Sequence, residues 1–339
     1  MGIFKKKYRP DTETQINGAR LVTFVELKHV ISEQFRTLRT KIEFAGAALD
    51  NLQVVMFTSA EMSDERWYME FSVLMAVYSG DDFGRFKKAF ESILNQTLSP
   101  SQIVVVKDGP ISSMIEEYLG SINVGFTQLE VVALQKNSGL ATALNVGLKH
   151  TKYPVVARVD SDDFNLKNRF ELQVSEFIAD ERLTVLSGTV SEKHQDDSIT
   201  YRRLPSRDGE IRKFLKLRSP FNHPAVMFKK EAVLSVGGYD TDSKVEDYDL
   251  WFRLSKNKDV VFKNLSDVLV DMDVEDGMYD RRGGWKYLRS YADLKNNMRK
   301  EKVISFAEFI LSVFGVAVSS HMPSWMRKSL YITVLRKKE

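Results

Sequence analysis

Val155-Val-Ala-Arg-Val-Asp-Ser-Asp-Asp163 is the stretch that decides the fold. Two apolar β-formers lead through Ala157, Arg158 and Val159 into three carboxylates, Asp160, Asp162 and Asp163, within four positions. This is how a buried parallel strand ends when its tip must hold a divalent cation. Carboxylate oxygens suit Mg or Mn, and neither ion needs His or Cys ligands. A cation held there can carry a diphosphate, which points to enzymes that handle an activated phosphate ester. Asp-x-Asp alone is common, and its plain alternative is a solvated turn or a helix cap, with Asp163 capping a helix around 168–177.

Upstream, the hydrophobic pattern alternates between strand and helix. Phe71 to Val77 reads as an apolar strand, Arg85 to Leu94 as an amphipathic helix and Ile103 to Val106 as a second strand. Met114 to Leu119 follows as a helix, Leu129 to Leu134 as a strand, Leu140 to Leu148 as a helix and Val155 to Val159 as a fourth strand. Such alternation predicts a parallel α/β sheet covered on both faces. Ligands on such sheets bind beyond the carboxyl ends of the strands, where Tyr78, Asp108, Asn137, Asp160 and Asp162 fall.

Three further pieces carry chemistry. Val104-Val-Val-Lys-Asp-Gly-Pro110 ends a strand in Asp108, a carboxylate able to accept from a pyrimidine N–H, while Tyr78 can lie against a base face. The plain alternative is an ordinary Asp-Gly turn. Asn137-Ser-Gly139 starts a helix whose Ala141, Ala143 and Gly147 permit close approach, either of a sugar phosphate or of the sheet itself. Lys244-Val-Glu-Asp-Tyr-Asp-Leu-Trp-Phe-Arg-Leu254 reads as a mostly apolar helix delivered by the turn Gly237-Gly-Tyr-Asp240. Glu246 and Asp247 stand at its N-terminal end, where the helix dipole favours ionised carboxylates. A carboxylate so placed can take a proton from an attacking hydroxyl, or it is simply an acidic first turn.

These four pieces, in this order over residues 70–275, resemble the inverting family 2 glycosyltransferases of the GT-A fold, as do Phe71-Ser-Val-Leu-Met-Ala-Val-Tyr78 and Leu94-Asn-Gln-Thr97. The resemblance implies a Rossmann-like, mostly parallel sheet flanked by helices. It implies a nucleotide site of Tyr78, Asp108, Asn137, Gly139 and Asp160, and an Mg or Mn ion on Asp162 with Asp160 nearby. Asp247 is then the general base, with Glu246 its neighbour. Asn222-His-Pro-Ala-Val-Met-Phe228 resembles the acceptor-side strand of polysaccharide-assembling members, which puts His223 and Trp251 on the acceptor side. For His223, a core or turn histidine is the alternative. Ser161 stands where the family usually has Gly or another small residue. The implied reaction moves a hexose from a nucleotide-sugar, UDP-glucose or UDP-galactose, to a lipid-linked saccharide. The competing readings are a nucleotidyltransferase, disfavoured because Tyr78-Ser-Gly-Asp-Asp82 is acidic rather than Gly-rich and basic, and a non-catalytic adaptor.

Both ends differ from this middle. Residues 1–66 contain Ile31-Ser-Glu-Gln-Phe-Arg-Thr-Leu-Arg-Thr-Lys41 and Val54-Val-Met-Phe-Thr-Ser59, which resemble the front of bacterial polysaccharide-associated tyrosine kinases. The Glu-x-x-Arg-x-x-Arg pattern used there in self-association falls on Glu33, Arg36 and Arg39, so a homo-oligomer is among the expected partners. Ser63-Asp-Glu-Arg-Trp-Tyr68 replaces the phosphate loop, and without Gly or Lys there is no anion cradle, hence no kinase activity. A helix is predicted over 32–44 and a strand over 52–57. Residues 276–339 read as a helical, basic region. Val303 to Val318 is apolar with Glu308 inside it, short for a membrane span. It is a core or dimer-packing helix, or, with the basic and aromatic Trp325 to Lys338, an interfacial membrane element.

Composition narrows the partners. A net charge of +3 in 339 residues gives no global field for nucleic acid. The absence of cysteine excludes disulfides and thiolate metal sites and fits the cytoplasm. A polar first stretch predicts no signal peptide. The basic clusters at both ends are either solvated tails or contacts to anionic lipid, and the expected place is peripheral, on the inner leaflet of the plasma membrane.

Overall fold

Alternation along one strand explains the layering. In β3 (Phe71–Val77), Phe71, Val73, Met75 and Val77 pack into one buried cluster while Leu74 enters another on the opposite face. A strand apolar on both faces is stable only with cover on both sides. The computed structural model describes residues 10–16, 19–24, 69–125, 127–274, 284–322, 326 and 337–338. It divides into two compact units, 1–65 and 66–339.

In the first unit β1 (Pro10–Ile16) pairs antiparallel with β2 (Ala19–Phe24). The kinase-like helix and strand expected over 32–44 and 52–57 lie outside the described residues.

The second unit continues through α1 (Phe83–Leu94), β4 (Gln102–Lys107), α2 (Ser113–Ser121), β5 (Gln128–Ala133), α3 (Leu140–His150) and β6 (Val155–Val159). The strands at 71–77 and 155–159 fall on their predicted bounds. The other predicted elements of this half start or stop within a few residues of theirs. Asp82 opens α1 by accepting from the Arg85 N–H at 3.0 Å. These four strands lie in the order β5-β4-β3-β6, all parallel. The chain leaves β3 first to one side and then to the other, so the crevice beyond the β3 and β6 carboxyl ends is a topological switch point, where such sheets bind ligands.

The remaining elements make the sheet mixed. They are β7 (Phe164–Asn165), α4 (Arg169–Ala179), β8 (Leu183–Lys193), β9 (Ile199–Arg202), α5 (Asp208–Leu215), a 3-10 turn at His223–Ala225 and β10 (Met227–Lys229). After them come α6 (Lys230–Ser235), α7 (Glu246–Ser255), β11 (Val261–Asp273), α8 (Gly284–Lys300), α9 (Phe306–His321) and β12 (Lys337–Lys338). β10 runs antiparallel between β6 and β8, and β11 lies parallel to β8. This is the mostly parallel, helix-flanked α/β sheet expected, with a helical C-terminal part.

One sequence expectation needs correcting here. Asp163 caps no helix: β7 intervenes, Asn168 precedes α4, and Asp163 is buried. Glu308, the charge inside the apolar 303–318 stretch, is the exposed third residue of α9, and its carboxylate accepts from the Ser305 N–H at 2.6 Å while Ser305 Oγ accepts from the Glu308 N–H at 3.2 Å. That reciprocal capping box starts α9.

Small residues let α3 lie on the sheet. A Cβ on Gly147 would stand 2.2 Å from Leu74 Cδ1 and 2.8 Å from Val106 Cγ2, both in the core. Gly147→Val is expected to destabilise the protein by about 1–3 kcal/mol through overpacking. Urea unfolding measures it, and a change within about 0.5 kcal/mol, the range of an ordinary surface substitution, contradicts this packing.

Candidate active site

The acidic run beyond β6 is organised by two buried arginines. Arg158 sits inside the strand, and its guanidinium pairs with the Asp160 carboxylate. Burial is the largest influence and lowers the Arg158 pKa, but the charge and hydrogen bond of Asp160, with Tyr239 and Asp163, together outweigh it and the net shift is upward. Arg169, at the start of α4, is fully buried. It donates to the Arg158 carbonyl at 2.8 Å, the Val226 carbonyl at 3.3 Å and Gln173 Oε1 at 3.0 Å, and also to Asn165. It thereby ties the acidic strand end to the segment entering β10. Burial first and the Arg158 charge second bring its pKa down to about 9.

Three carboxylates crowd around these cations. Asp163 is buried, and its Oδ2 has no hydrogen-bond partner among the described residues. Burial, then the charges of Asp160 and Asp162, push its pKa well above the usual carboxylate range. Ser161 turns away from the cluster and donates to Asp81 Oδ2 at 2.9 Å, which also accepts from the Tyr78 N–H at 3.0 Å. The ends of β3 and β6 are thus laced together at the switch point.

The second acidic pair arrives from 80 residues away in the chain by way of α7. Gly237 and Gly238 take φ of 87° and 74°, open to Gly but strained for other residues. Asn145 of α3 clamps this turn, accepting from the Tyr239 N–H at 2.8 Å and donating to its carbonyl at 2.7 Å. The turn delivers Glu246 and Asp247 to the first turn of α7. Ser219 Oγ donates to Asp247 Oδ2 at 3.1 Å. Burial, then the neighbouring Asp247 charge, raises the Glu246 pKa. The 215–219 segment carrying Ser219 is itself fixed by the buried Lys295 of α8, which donates to the Lys216 carbonyl at 2.6 Å and to Tyr248 Oη at 2.8 Å. Burial draws that ammonium down to about 8.

Both acidic groups face one cavity of about 530 Å³, lined by Asp160, Asp162 and Asp163 on the β6 side and by Glu246 and Asp247 on the α7 side. Arg158 and His223 line it between them. His223 Nε2 lies 3.1 Å from Tyr239 Oη. Burial, then the Arg158 charge, hold its pKa well below the ordinary value, so the ring is neutral.

The other expected site residues stand apart from this cavity. Asp108 is buried beyond β4, and its carboxylate accepts from the Ser138 N–H at 2.6 Å and the Gly139 N–H at 2.9 Å. The N–H groups read as a phosphate cradle are therefore turned onto Asp108. Asn137 is exposed, and its backbone presses on Gly109, where a Cβ would come within 2.5 Å of Asn137 N. Tyr78 is exposed just past β3, with its ring folded over Gly80. Tyr78, Asp108, Asn137 and Gly139 thus gather at the β3, β4 and β5 carboxyl ends, beside the acidic crevice. Trp251 does not join the acceptor side: it is fully buried, packed edge-on against Phe221 at 5.2 Å and beneath His223 at 6.2 Å. It is not among the residues that line the cavity; it lies in the core behind His223, which does.

Sequence reading passed over Arg169, Ser219, Asn145 and Lys295. Arg158 did carry a signal, since a charge two residues before an acidic cluster inside an apolar strand needs a buried partner. Ser219 carried none.

Comparison with known proteins agrees with this architecture. The model of the family described as glycosyl transferase family 2 matches residues 72–236. An Escherichia coli UDP-Gal:alpha-D-GlcNAc-diphosphoundecaprenol beta-1,3-galactosyltransferase is 34% identical over 278 residues, 81% of this chain and 99% of that protein. The Erwinia amylovora amylovoran biosynthesis glycosyltransferase AmsE is 35% identical over 261 residues, 77% of this chain and 97% of that one. In fold, the chain is similar to a Pyrobaculum calidifontis mannosyltransferase solved with GDP-Man and Mn2+, with a TM-score of 0.52 at 15% identity, covering 90% of this chain and 91% of that one. It is also similar to Staphylococcus aureus TarS 1-349 in complex with UDP-GlcNAc, with a TM-score of 0.52 at 18% identity, covering 78% and 76%. The sheet order, the acidic crevice at its switch point and relatives spanning most of the chain converge: this protein belongs to glycosyl transferase family 2 and is a glycosyltransferase of the GT-A fold.

Proposed function

We propose that this enzyme transfers a hexose from UDP-galactose or UDP-glucose to a hydroxyl of a lipid-linked saccharide during assembly of a bacterial capsule, exopolysaccharide or O-antigen, at the inner face of the plasma membrane. The observation that carries the reading is that the β6 carboxylates and Asp247 face one cavity across Arg158 and His223. The relatives support its direction, since the printed name of the Escherichia coli protein gives a UDP-Gal donor and a diphosphoundecaprenol acceptor.

The donor's diphosphate and the acidic strand end are both negative, so a cation is needed between them. The residues fit one. Asp160 and Asp162 line the cavity, and their charges, which after burial raise Asp163, make the negative field a divalent ion would relieve. Among the described residues no set of three or more His, Cys, Asp or Glu side chains converges as a complete cage. That suits Mg or Mn, which are commonly held by one or two carboxylates together with substrate phosphates and water. Asp162, with Asp160, would hold the ion, and when bound it would neutralise charge on the leaving diphosphate.

The protein's own groups do the rest. Asp247 takes the proton of the acceptor hydroxyl, whose oxygen attacks C1 of the sugar. The C1–O bond to the diphosphate breaks with its electron pair, UDP leaves, and the anomeric centre inverts. Ser219 fixes one Asp247 oxygen and leaves the other for the acceptor. Glu246, its pKa raised, is a weaker competitor for cations at that spot. His223, neutral and held by Tyr239, offers a hydrogen bond to a sugar hydroxyl without adding charge. In this reading the exposed Tyr78 stacks on the base and Asp108 holds the Ser138–Gly139 loop beside it.

Two substitutions test these roles. Asp247→Asn keeps the shape and the Ser219 contact, so transfer from UDP-galactose should fall about 10²–10⁴-fold with folding unchanged by circular dichroism. Near-normal transfer contradicts the base assignment. Arg158→Met strips Asp160 and Asp163 of their buried counter-charge and should cost about 3–5 kcal/mol at neutral pH. Denaturant unfolding reads it, and a loss under about 1 kcal/mol, no more than an exposed ion pair is worth, contradicts the role given to Arg158.

A further inference from the structure

The outward face of the α8–α9 hairpin is a large feature that the reaction chemistry leaves unused. Hydrophobic residues on α9 that a core helix would bury face outward: Phe306 is 65% exposed, Leu311 71% and Phe314 67%, with Ile310 and Val318 beside them. On α8, Trp285 is 76% exposed. The hairpin's other side is firmly seated, because Tyr291, Leu294, Met298 and Ile304 belong to the same buried cluster as Trp251 and Tyr248. The outward face is therefore not a helix waiting to dock into its own core. An apolar face of this size on an otherwise polar surface marks an interaction site.

Two observations say what covers it. First, charge: Lys300 and Lys302 are exposed in the turn that leads into Phe306, and Lys286 is exposed beside Trp285. Cations and aromatics flanking an apolar helix face match an anionic lipid surface, where the chains accept the apolar groups and the headgroups accept the lysines. Among the described residues no helix is long and apolar enough to cross a membrane. Second, continuity: Val316 of α9, Tyr287 of α8 and the exposed Leu217 line the same cavity as Asp247. The hairpin is at once the outward apolar face and the wall of the acceptor side.

We infer that the α8–α9 hairpin docks on an anionic bilayer and sets the mouth of the cavity at the headgroup layer, so that a lipid-borne acceptor reaches Asp247 without leaving the membrane. The inference deepens the function proposed above and rests on it for the acceptor. The membrane contact itself does not depend on donor or acceptor.

The test is flotation of the full chain with vesicles of phosphatidylglycerol and phosphatidylcholine, and with phosphatidylcholine alone. The wild-type chain should float with the anionic vesicles and much less with the neutral ones. Phe306→Ser, Leu311→Ser and Phe314→Ser combined should lower the bound fraction at least tenfold, and so should Lys300→Glu with Lys302→Glu, which leaves the apolar face intact. UDP binding, measured on the same samples, should be unchanged in both variants. This separates loss of the membrane contact from failure of the donor reading. The inference is overturned if the wild-type chain stays at the bottom of the gradient, if both variants float like it, or if the serine variant turns a dimer into a monomer in sedimentation while still floating.

Discussion

Negative charges that repel one another are held together at the end of one strand, and the rest of the molecule is arranged around that cost. Asp163 is buried, Asp160 half-buried and Asp162 exposed, and three carboxylates so close would not share one strand end unaided. Arg158 supplies the counter-charge from within the strand, and Arg169 supports it from α4 while binding two backbone carbonyls. Burial first, and then the charges of Asp160 and Asp162, still hold the Asp163 pKa well above the usual carboxylate range. The proposed cation would arrive at this open cavity with its substrate rather than sit in a closed cage.

The second acidic site depends on different contacts. Asp247 is brought to the cavity by a turn that only Gly can form easily, and Asn145 of α3 holds that turn. Because α3 lies on the sheet through Gly147, sheet packing, helix position and the direction of Asp247 form one mechanical chain. On the far side, Lys295 fixes the segment that carries Ser219. The C-terminal hairpin thus both braces the segment beside the proposed base and walls the cavity that Asp247 lines.

Much of this was legible in the sequence where the physics is local. The strands at 71–77 and 155–159 are short, mostly apolar runs, interrupted only by Ser72 and Arg158 and bounded by turn chemistry. The carboxylates beyond them announce themselves because acids do not end apolar strands without a reason. The antiparallel β10 between β6 and β8, and the long parallel pairing of β8 with β11, depend on partners far away in the chain, and the sequence pattern does not rank those pairings. Trp251 was misread for a related reason. An apolar helix next to an acidic turn has both a core face and a cavity face, and periodicity does not say which face a tryptophan takes. Asp163 was misread because the cap rule is local, whereas its burial follows from β7 and the arginines behind it. Family membership sets aside the nucleotidyltransferase and adaptor readings, which motif spacing had left open.

The central claim is that the β6 carboxylates bind a sugar nucleotide through a shared divalent cation. Calorimetric titration of UDP, with and without Mn²⁺, on the wild-type chain and on Asp162→Asn tests it most directly. The account predicts binding that requires Mn²⁺ and weakens at least tenfold on the substitution, the cost expected when a metal-holding group is lost. Equal affinity without the metal, or an affinity that Asp162→Asn leaves untouched, would contradict it.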